Sequence, residues 1–302
     1  MTDLEKNVTR NKKLDGLFAV VGLLSTFIGM LTLAALIVNL AIDGTARLTL
    51  HFFTSFPSRF PAQAGILSAW VGTTLVMVVT ALAAVPMGIA AGVYLEEYAP
   101  KNWLTVLIEI NIANLAGVPS IVYGLMALGL FVYQLKLGQS ILSAGLTLAL
   151  LILPIVIVAT RESIRAVPAS MREAAYALGA TKWQTTRDHV LPYSTGGILT
   201  GVIIALSRAI GETAPLITIG ALTFIAFLPD SPITSEFPFI SFQWLMSPFT
   251  VMPIQMFNWV SRPQQEFHLN AAATGLVLMV MTLIMNGIAI YFRYRFRKRI
   301  RW

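Results

Sequence analysis

Six long apolar runs that contain almost no charge constrain the fold of this chain more than any other feature. A helix that spans a bilayer needs about 20 mostly apolar residues, and each backbone polar group within the bilayer needs a partner inside the protein. The sequence therefore predicts an all-α integral membrane protein with six transmembrane helices. The predicted spans cover residues 16–42, 65–95, 110–135, 137–160, 193–228 and 269–292.

The composition agrees with a chain that is mostly surrounded by lipid. Only 12% of the residues are charged and the mean hydropathy is +0.74, whereas a soluble chain carries about a quarter charged residues. The chain has no cysteine, which excludes disulfides and thiolate metal sites, and its three histidines are far apart in sequence. We expect neither a metal site nor a catalytic residue in this chain.

Four prolines lie inside the apolar runs, namely Pro86, Pro119, Pro154 and Pro215. Membrane helices tolerate proline when neighbouring groups satisfy the carbonyls that it frees. We therefore expect kinks or broken helices, particularly around Pro119.

Two pairs of glycines have the spacing of small residues at helix contacts. These are Gly88 with Gly92 and Gly197 with Gly201. They predict close helix packing, either within this chain or with a partner subunit.

The distribution of lysine and arginine predicts the orientation of the chain. With a cytoplasmic N-terminus and six spans, sixteen of the 21 Lys and Arg residues lie inside, four lie outside and Arg208 lies within a span. Both termini are therefore predicted to be cytoplasmic. Residues 1–64 would hold the N-terminus, the first span and an external loop, and residues 65–302 a core of five spans with cytoplasmic loop 161–192 and external loop 229–268. The basic tail at 293–301 is interpreted as an anchor on anionic lipid, not as a nucleic-acid site.

The external loop 229–268 contains six prolines and many aromatic residues. The aromatic residues are typical of a belt at the membrane interface, which is the favoured interpretation. The alternative is a docking surface for an external partner. The aromatic side chains in question are Phe237, Phe239, Phe242, Trp244, Phe249, Phe257 and Trp259.

The cytoplasmic loop 161–192 has the pattern of two short helices. Pro168 suits the first turn of a helix, residues 170–178 are rich in helix formers, and Gly179 is typical of a helix end. A second short helix is predicted over residues 182–190. Small residues on the first helix, Ala174, Ala175 and Ala177, offer a surface that the groove of another protein could approach.

Two opposite charges, Arg208 and Glu212, lie in the fifth apolar run, four residues apart and so on nearly one helix face. A charge at bilayer depth costs at least about 2.5–3.5 kcal/mol, so both should face protein or water. One interpretation is an intrahelical salt bridge that only supports folding. The favoured one is an anion site, because a guanidinium matches tetrahedral oxyanions with two parallel hydrogen bonds. Ser207 and Thr213 place hydroxyl groups beside the pair, and Gly211 permits close backbone approach.

The cytoplasmic loop carries a resemblance to a known family. The pattern Glu173-Ala174-Ala175, then three residues, Gly179 and later Leu191-Pro192 resembles the EAA loop of bacterial ABC importer permeases, although His189 stands where that pattern prefers isoleucine. The resemblance implies a type I ABC importer permease-like fold, in which Glu173, Ala174, Ala175 and Gly179 couple to a cytoplasmic ATPase. The chain lacks the phosphate-cradle motif of ATPases. ATP and Mg are therefore expected on two copies of a separate ATPase, with no cofactor bound by this chain.

The stretch from Arg208 to Pro215, Arg-Ala-x-Gly-Glu-Thr-Ala-Pro, resembles a signature of the A-type permease subunits (PstA) of phosphate-specific transport systems. Residues 92–98 and 117–124 are similar to that family as well. The resemblance implies a phosphate importer in the bacterial plasma (inner) membrane, with a second, C-type permease subunit and a periplasmic or extracellular phosphate-binding protein. Arg208 and Glu212 would line the translocation path, with Ser207 and Thr213 beside them. Weaker path candidates are Arg161, Glu162 and Arg165, which are equally well interpreted as positive-inside anchors.

Three alternatives remain open. A permease for sulfate or molybdate would use the same guanidinium. An ion-gradient transporter could use Glu212 as a proton carrier, although the paired repeats common in such folds are not evident. A membrane scaffold without transport is the third.

Overall fold

The computed structural model describes residues 3–232 and 241–299, and within these ranges the chain forms helices, turns and irregular segments but no strand. Phe237, Phe239 and Arg301, which the predictions above include, lie outside the described residues. The α-helices are α1 (Asp3–Thr45), α2 (Leu50–Thr54), α3 (Leu67–Val93), α4 (Trp103–Leu115), α5 (Ser120–Ala127), α6 (Ile141–Arg165), α7 (Ala169–Ala177), α8 (Lys182–Thr185), α9 (Leu191–Ile210), α10 (Ala214–Thr218), α11 (Met252–Val260) and α12 (Gln265–Arg299).

Three π-helical turns extend the regular helices. Tyr94–Tyr98 prolongs α3, Leu128–Gln134 prolongs α5, and Thr186–Val190 joins α8 to α9 without a break. Within residues 3–232 and 241–299, five of the resulting helices are long and apolar enough to span a membrane, and a sixth candidate is the bent pair of α4 and α5.

Helices α3 and α6 are parallel, because the contacts between them advance in the same direction along both. Gly88 lies against Val156, and Gly92 lies against Thr160. The chain between the two helices must therefore return across the full height of the bundle. Helices α4 and α5 provide this crossing, so the bent pair counts as one span and the predicted six crossings are confirmed.

The pairs α9–α6, α12–α9 and α12–α1 are antiparallel. Gly197 of α9 lies against Ser163 of α6, and Gly201 lies against Ala159 one turn further along. Helix α12 also runs opposite to α9 and to α1, because the residue numbers of its contacts rise as those of the neighbouring helix fall. The beginning of α1 and the end of α12 therefore lie on the same side of the bundle, which we label cytoplasmic from the lysine and arginine distribution. Both glycine pairs pack within this chain.

The third crossing is broken where Pro119 predicts a break. Helix α4 ends at Leu115, α5 begins at Ser120, and the two axes differ by 105°. Helices α3 and α6 continue through Pro86 and Pro154, so these two prolines do not break their helices.

The prediction that the fifth span runs over residues 193–228 is wrong. One continuous helix covers Lys182–Ile210, so the second short helix predicted in the cytoplasmic loop is the first part of this span. The helix ends at Ile210, and Pro215 starts the separate five-residue α10 instead of lying within a long helix. Gly220, with φ of +91°, then turns the chain away, and residues 221–232 are irregular.

On the external side, several aromatic residues of loop 229–268 belong to the core. Trp244, Phe249 and Trp259 are buried, so the belt predicted for them is wrong, while Phe242 and Phe257 are exposed. The small hydrophobic core on the external side consists of Phe52, Ala64, Ile66, Ala69, Met252, Trp259, Phe267, Ala271 and Ala273. The predicted domain boundary after residue 64 stays a prediction. Residues from both sides of this boundary contribute to the external core.

Candidate functional site

Arg208 lies in the last turn of α9 and contacts Glu212 in the turn that follows. The Arg208 Nε atom donates to Glu212 Oε1 over 3.3 Å. The expectation of one shared helix face is wrong, because α9 ends at Ile210 and Glu212 contacts the arginine from outside the helix. In this single chain, 38% of the Arg208 side chain and 19% of the Glu212 side chain are exposed.

The packing of α9 on α6 gives the depth of this pair in the membrane. Gly201 lies against Ala159. Because the two helices are antiparallel, Arg208, seven residues further along α9, lies level with Ile152, seven residues earlier on α6. Ile152 is near the middle of α6, which spans Ile141–Arg165. The non-helical residues 211–213 therefore lie at mid-membrane depth. Such backbone is tolerated there only where protein covers it or where it lines a water-filled cavity.

The break in the third crossing lies beside this break in the fifth. Gly124 of α5 lies against the backbone of Pro215 in α10, at a distance that leaves no room for a side chain. The hydroxyl of Tyr123 donates to the Leu115 carbonyl over 2.9 Å, across the bend between α4 and α5. Tyr123 also lies within electrostatic reach of Arg208. Two interrupted helices thus meet at the charged pair, an arrangement typical of midplane substrate sites.

The guanidinium of Arg208 has N–H donors that make no hydrogen bond to the described residues. Among the residues that the structure describes, its one hydrogen-bond partner is Glu212, reached through Nε. The terminal nitrogens Nη1 and Nη2 can therefore meet a tetrahedral oxyanion with parallel hydrogen bonds. The neighbouring carboxylate of Glu212 reduces the cost of the guanidinium when no anion is bound.

Ser207 and Thr213 take different places around the pair. The Ser207 hydroxyl lies 2.7 Å from Oδ1 of Asn286, which joins α9 to α12. Thr213 precedes α10, and its carbonyl accepts from the backbone of Leu216 over 3.1 Å. Sequence reasoning missed Asn286, although an amide inside the sixth apolar run is the kind of residue that marks a buried contact.

Arg161 belongs to a second cluster, nearer the cytoplasmic side. It lies nine residues beyond Ile152 on α6, about 13 Å along the helix, so the structure does not bring it together with Arg208. Its side chain is 8% exposed and contacts Glu109 of α4 over 2.7 Å and Glu96 over 3.6 Å. A side chain this buried does not anchor the chain on lipid headgroups.

Arg165 and Glu162 lie at the rim of this second cluster. Arg165 is half-exposed and contacts Glu96 over 3.0 Å and Glu162 over 3.2 Å. The sequence reasoning did not pair Glu96 or Glu109 with these arginines. The sequence contains one indication of this pairing. Glu109 directly precedes the third apolar run and Arg161 directly follows the fourth, so both lie at the cytoplasmic ends of their predicted spans.

The predicted coupling segment forms α7 and the turn after it. Glu173 and Ala174 are exposed, whereas Ala175 is 6% exposed and packs inward, so the prediction of a surface that includes Ala175 is wrong. Gly179 has φ of +83°, and the following Ala180 N–H donates back to the Ala175 carbonyl over 3.0 Å. This turn is a glycine-dependent helix end.

The fold has known counterparts among solved structures. A chain of a bacterial alginate ABC transporter, solved with an alginate pentasaccharide-bound periplasmic protein, has a TM-score of 0.65 at 15% identity, over 98% of this chain and 99% of that chain. A chain of the inward-facing MetNI methionine ABC transporter has a TM-score of 0.56 at 14% identity, over 78% and 96%. The predicted type I ABC importer permease-like fold is confirmed.

Sequence relatives and a family model agree with the fold. The chain is 31% identical to the probable ABC transporter permease protein YqgI of Bacillus subtilis over 82% of this chain and 86% of that protein. The phosphate transport system permease proteins PstA of Yersinia pestis and Mycobacterium leprae are 31% and 34% identical, over 89% and 78% of this chain and 86% and 72% of their own lengths. The model for binding-protein-dependent transport system inner membrane components matches residues 84–302. The chain is thus a multi-pass inner-membrane protein that belongs to the family of binding-protein-dependent transport system inner membrane components.

Proposed function

We propose that this chain is the transmembrane permease subunit of an ATP-driven inorganic phosphate importer. The observation that carries the proposal is the Arg208 guanidinium at mid-membrane depth, with two terminal nitrogens open beside the breaks of two spans. Relatives of similar length are named phosphate transport permeases. A second, C-type permease subunit would complete the path, because one chain leaves Arg208 exposed on its side.

Glu212 favours phosphate over sulfate as the transported oxyanion. Near neutral pH phosphate still carries at least one proton, which can donate to a carboxylate that accepts only. Sulfate has no proton to donate and meets the carboxylate as a like charge. The 3.3 Å spacing between Arg208 Nε and Glu212 Oε1 brings donor and acceptor within reach of one small oxyanion. The guanidinium alone would not make this distinction.

The cytoplasmic surface suits an ATPase partner. Helix α7 exposes Glu173, Ala174 and Ala177, and Leu178 after it is 90% exposed. We propose that two copies of a separate ATPase hold ATP and Mg, that this chain binds no cofactor, and that α7 seats in a cleft of one copy. An external phosphate-binding protein would deliver the substrate, in keeping with the binding-protein dependence of the family.

The test is uptake of radiolabelled phosphate into vesicles that hold the assembled complex, with sulfate and molybdate as competitors. We expect uptake that needs ATP and resists both competitors. Uptake blocked by sulfate or molybdate would assign the path to another oxyanion. Uptake driven by an ion gradient without ATP would assign the chain to a gradient-driven transporter, with Glu212 as the candidate proton carrier.

A further inference from the structure

One side chain, Arg172, makes most of the polar attachment between α7 and the transmembrane helices. Its Nε and Nη2 atoms donate to Oε1 of Glu97 over 3.0 and 2.8 Å. Its Nη1 atom donates to the Val167 carbonyl over 2.8 Å, and Nη2 also donates to the Ile164 carbonyl over 3.0 Å. Among the apolar side chains of α7, Ala175 is buried, and the half-buried Met171 packs against the small core of Ile164, Val167 and Val190.

The partners of Arg172 come from two different spans. Glu97 belongs to the π-helical turn Tyr94–Tyr98 that prolongs α3, and Ile164 belongs to the last turn of α6. Carbonyls at a helix C-terminus attract a cation, and hydrogen bonds between ionised partners are about twice as strong as neutral ones. Only 6% of the Glu97 side chain and 20% of the Arg172 side chain are exposed. Separating α7 from α3 would therefore leave a buried carboxylate without its counter-ion.

The same π-helical turn also holds the second charged cluster. Glu96, next to Glu97, contacts Arg165 over 3.0 Å and lies 3.6 Å from Arg161. Two adjacent carboxylates thus point to different neighbours, one to α7 and the other to α6. Single π-helical turns occur frequently at functional sites. This turn is the place where α7 and the ion pairs of the transmembrane bundle come together.

We propose that the Glu97–Arg172 ion pair is the positioning contact that passes movement of α7 to α3 during the ATP cycle. The inference rests on the proposed function, since it needs an ATPase partner that moves α7. Neither residue would touch ATP or phosphate. The pair would set how much transport follows from each ATP hydrolysed, by keeping the cytoplasmic end of α3 in step with α7.

The experiment uses the full complex in proteoliposomes, with the external binding protein and phosphate. Phosphate uptake, ATP hydrolysis and retention of the ATPase subunits are measured for Glu97→Gln, Arg172→Gln, the double variant and Arg172→Lys. We expect ATPase retention and continued hydrolysis, with phosphate transported per ATP falling about tenfold in each Gln variant and no further in the double variant, since all three remove the same Glu97–Arg172 ion pair. Arg172→Lys should be intermediate, because an ammonium can hold Glu97 but cannot also form the guanidinium fork to both carbonyls.

A matched control is Asp188→Asn, which removes a cytoplasmic carboxylate that is 44% exposed and pairs with its sequence neighbour Arg187. It links no two elements, so the transport-to-hydrolysis ratio should stay at the wild-type value. An unchanged ratio of phosphate transported to ATP hydrolysed in both Glu97→Gln and Arg172→Gln would overturn the inference. Loss of the ATPase subunits from these variants would overturn it as well, because the pair would then only anchor α7. A wild-type complex without ATP-dependent phosphate uptake would overturn the proposed function and this inference with it.

Discussion

Arg161 and Glu109 form an ion pair of 2.7 Å that joins α6 to α4 on the cytoplasmic side of the bend in the third crossing. The Arg161 side chain is 8% exposed, and within the described part of the chain its Nε atom has no hydrogen-bond partner. Among the described residues, this ion pair and the hydrogen bond from Tyr123 to the Leu115 carbonyl tie the half-helix α4 to the rest of the bundle.

Glu109→Gln should destabilise the chain, because it leaves the buried Arg161 with only Glu96, 3.6 Å away. Breaking a buried pair costs about 3–5 kcal/mol, and we expect about 3 kcal/mol here since Glu96 retains part of the compensation. Thermal unfolding in detergent measures the change. Glu162→Gln is the control: its side chain is 61% exposed, and surface pairs contribute about 1 kcal/mol or less. Equal unfolding temperatures for the two variants would contradict the importance of the Arg161–Glu109 pair.

Arg208→Ala should abolish phosphate uptake while the complex still assembles, because the proposed anion donor is lost and the side chain makes no contact that holds two helices together. Arg208→Lys should restore uptake only in part, since lysine lacks the planar fork. Uptake by proteoliposomes and size-exclusion chromatography of the complex measure the two properties. Arg59→Ala, at an exposed arginine of the external side, is the control. Normal transport by Arg208→Ala would remove the anion-site proposal.

Glu212→Gln should weaken discrimination between phosphate and sulfate. The amide keeps the shape of the side chain but adds donors and removes the negative charge, so sulfate is no longer repelled. We expect sulfate to inhibit phosphate uptake by the variant at concentrations about tenfold lower than for the wild type, a difference of about 1.4 kcal/mol. An unchanged inhibition curve would mean that Glu212 only balances Arg208.

Gly124→Ala should disturb the contact between the two broken spans. An added Cβ atom would lie 2.6 Å from the Pro215 Cα atom, and overpacking of this kind costs about 1–3 kcal/mol. We expect a lower unfolding temperature and reduced uptake. Gly129→Ala, in the same crossing, adds a Cβ with nothing within 4 Å and should leave both unchanged. Identical behaviour of the two variants would argue against a tight α5–α10 contact at the site.

Gly179→Ala should weaken association with the ATPase, because φ of +83° is costly for any residue with a Cβ atom, about 1–2 kcal/mol. The turn after α7 would change shape and misplace Glu173 and Leu178. Co-purification of the ATPase subunits measures the effect. Gly196→Ala is the control, since Gly196 lies in α9 with open space around it. Full retention of the ATPase by Gly179→Ala would contradict a coupling role for this turn.

Much of the fold follows from local properties of the sequence. The length of each apolar run predicts the crossings, and Pro119 correctly predicts the break in the third. The predicted fifth span is too long because residues 211–228 are as apolar as a membrane-spanning helix. Hydropathy does not register that Gly211, Pro215 and Gly220 interrupt the backbone there.

The candidate site was predictable as a set of residues but not as an arrangement. Arg208 and Glu212 are close in sequence, and charges within an apolar run are conspicuous. Their short separation keeps them close, but their contact is made across the end of α9 and not along one helix face. The neighbourhood of Tyr123 and Pro215 depends on how two spans pack, which a hydropathy pattern does not specify.

The sequence by itself determined the number of crossings, the side on which the charged loops lie and the identity of the mid-membrane arginine. These depend on the length and polarity of short segments, which the bilayer selects directly. Only the tertiary structure decided that Glu109 meets Arg161 and that Glu97 meets Arg172. Partners 52 and 75 residues apart are chosen by the rotation and register of packed helices, which follow from glycine contacts and side-chain shape throughout the bundle.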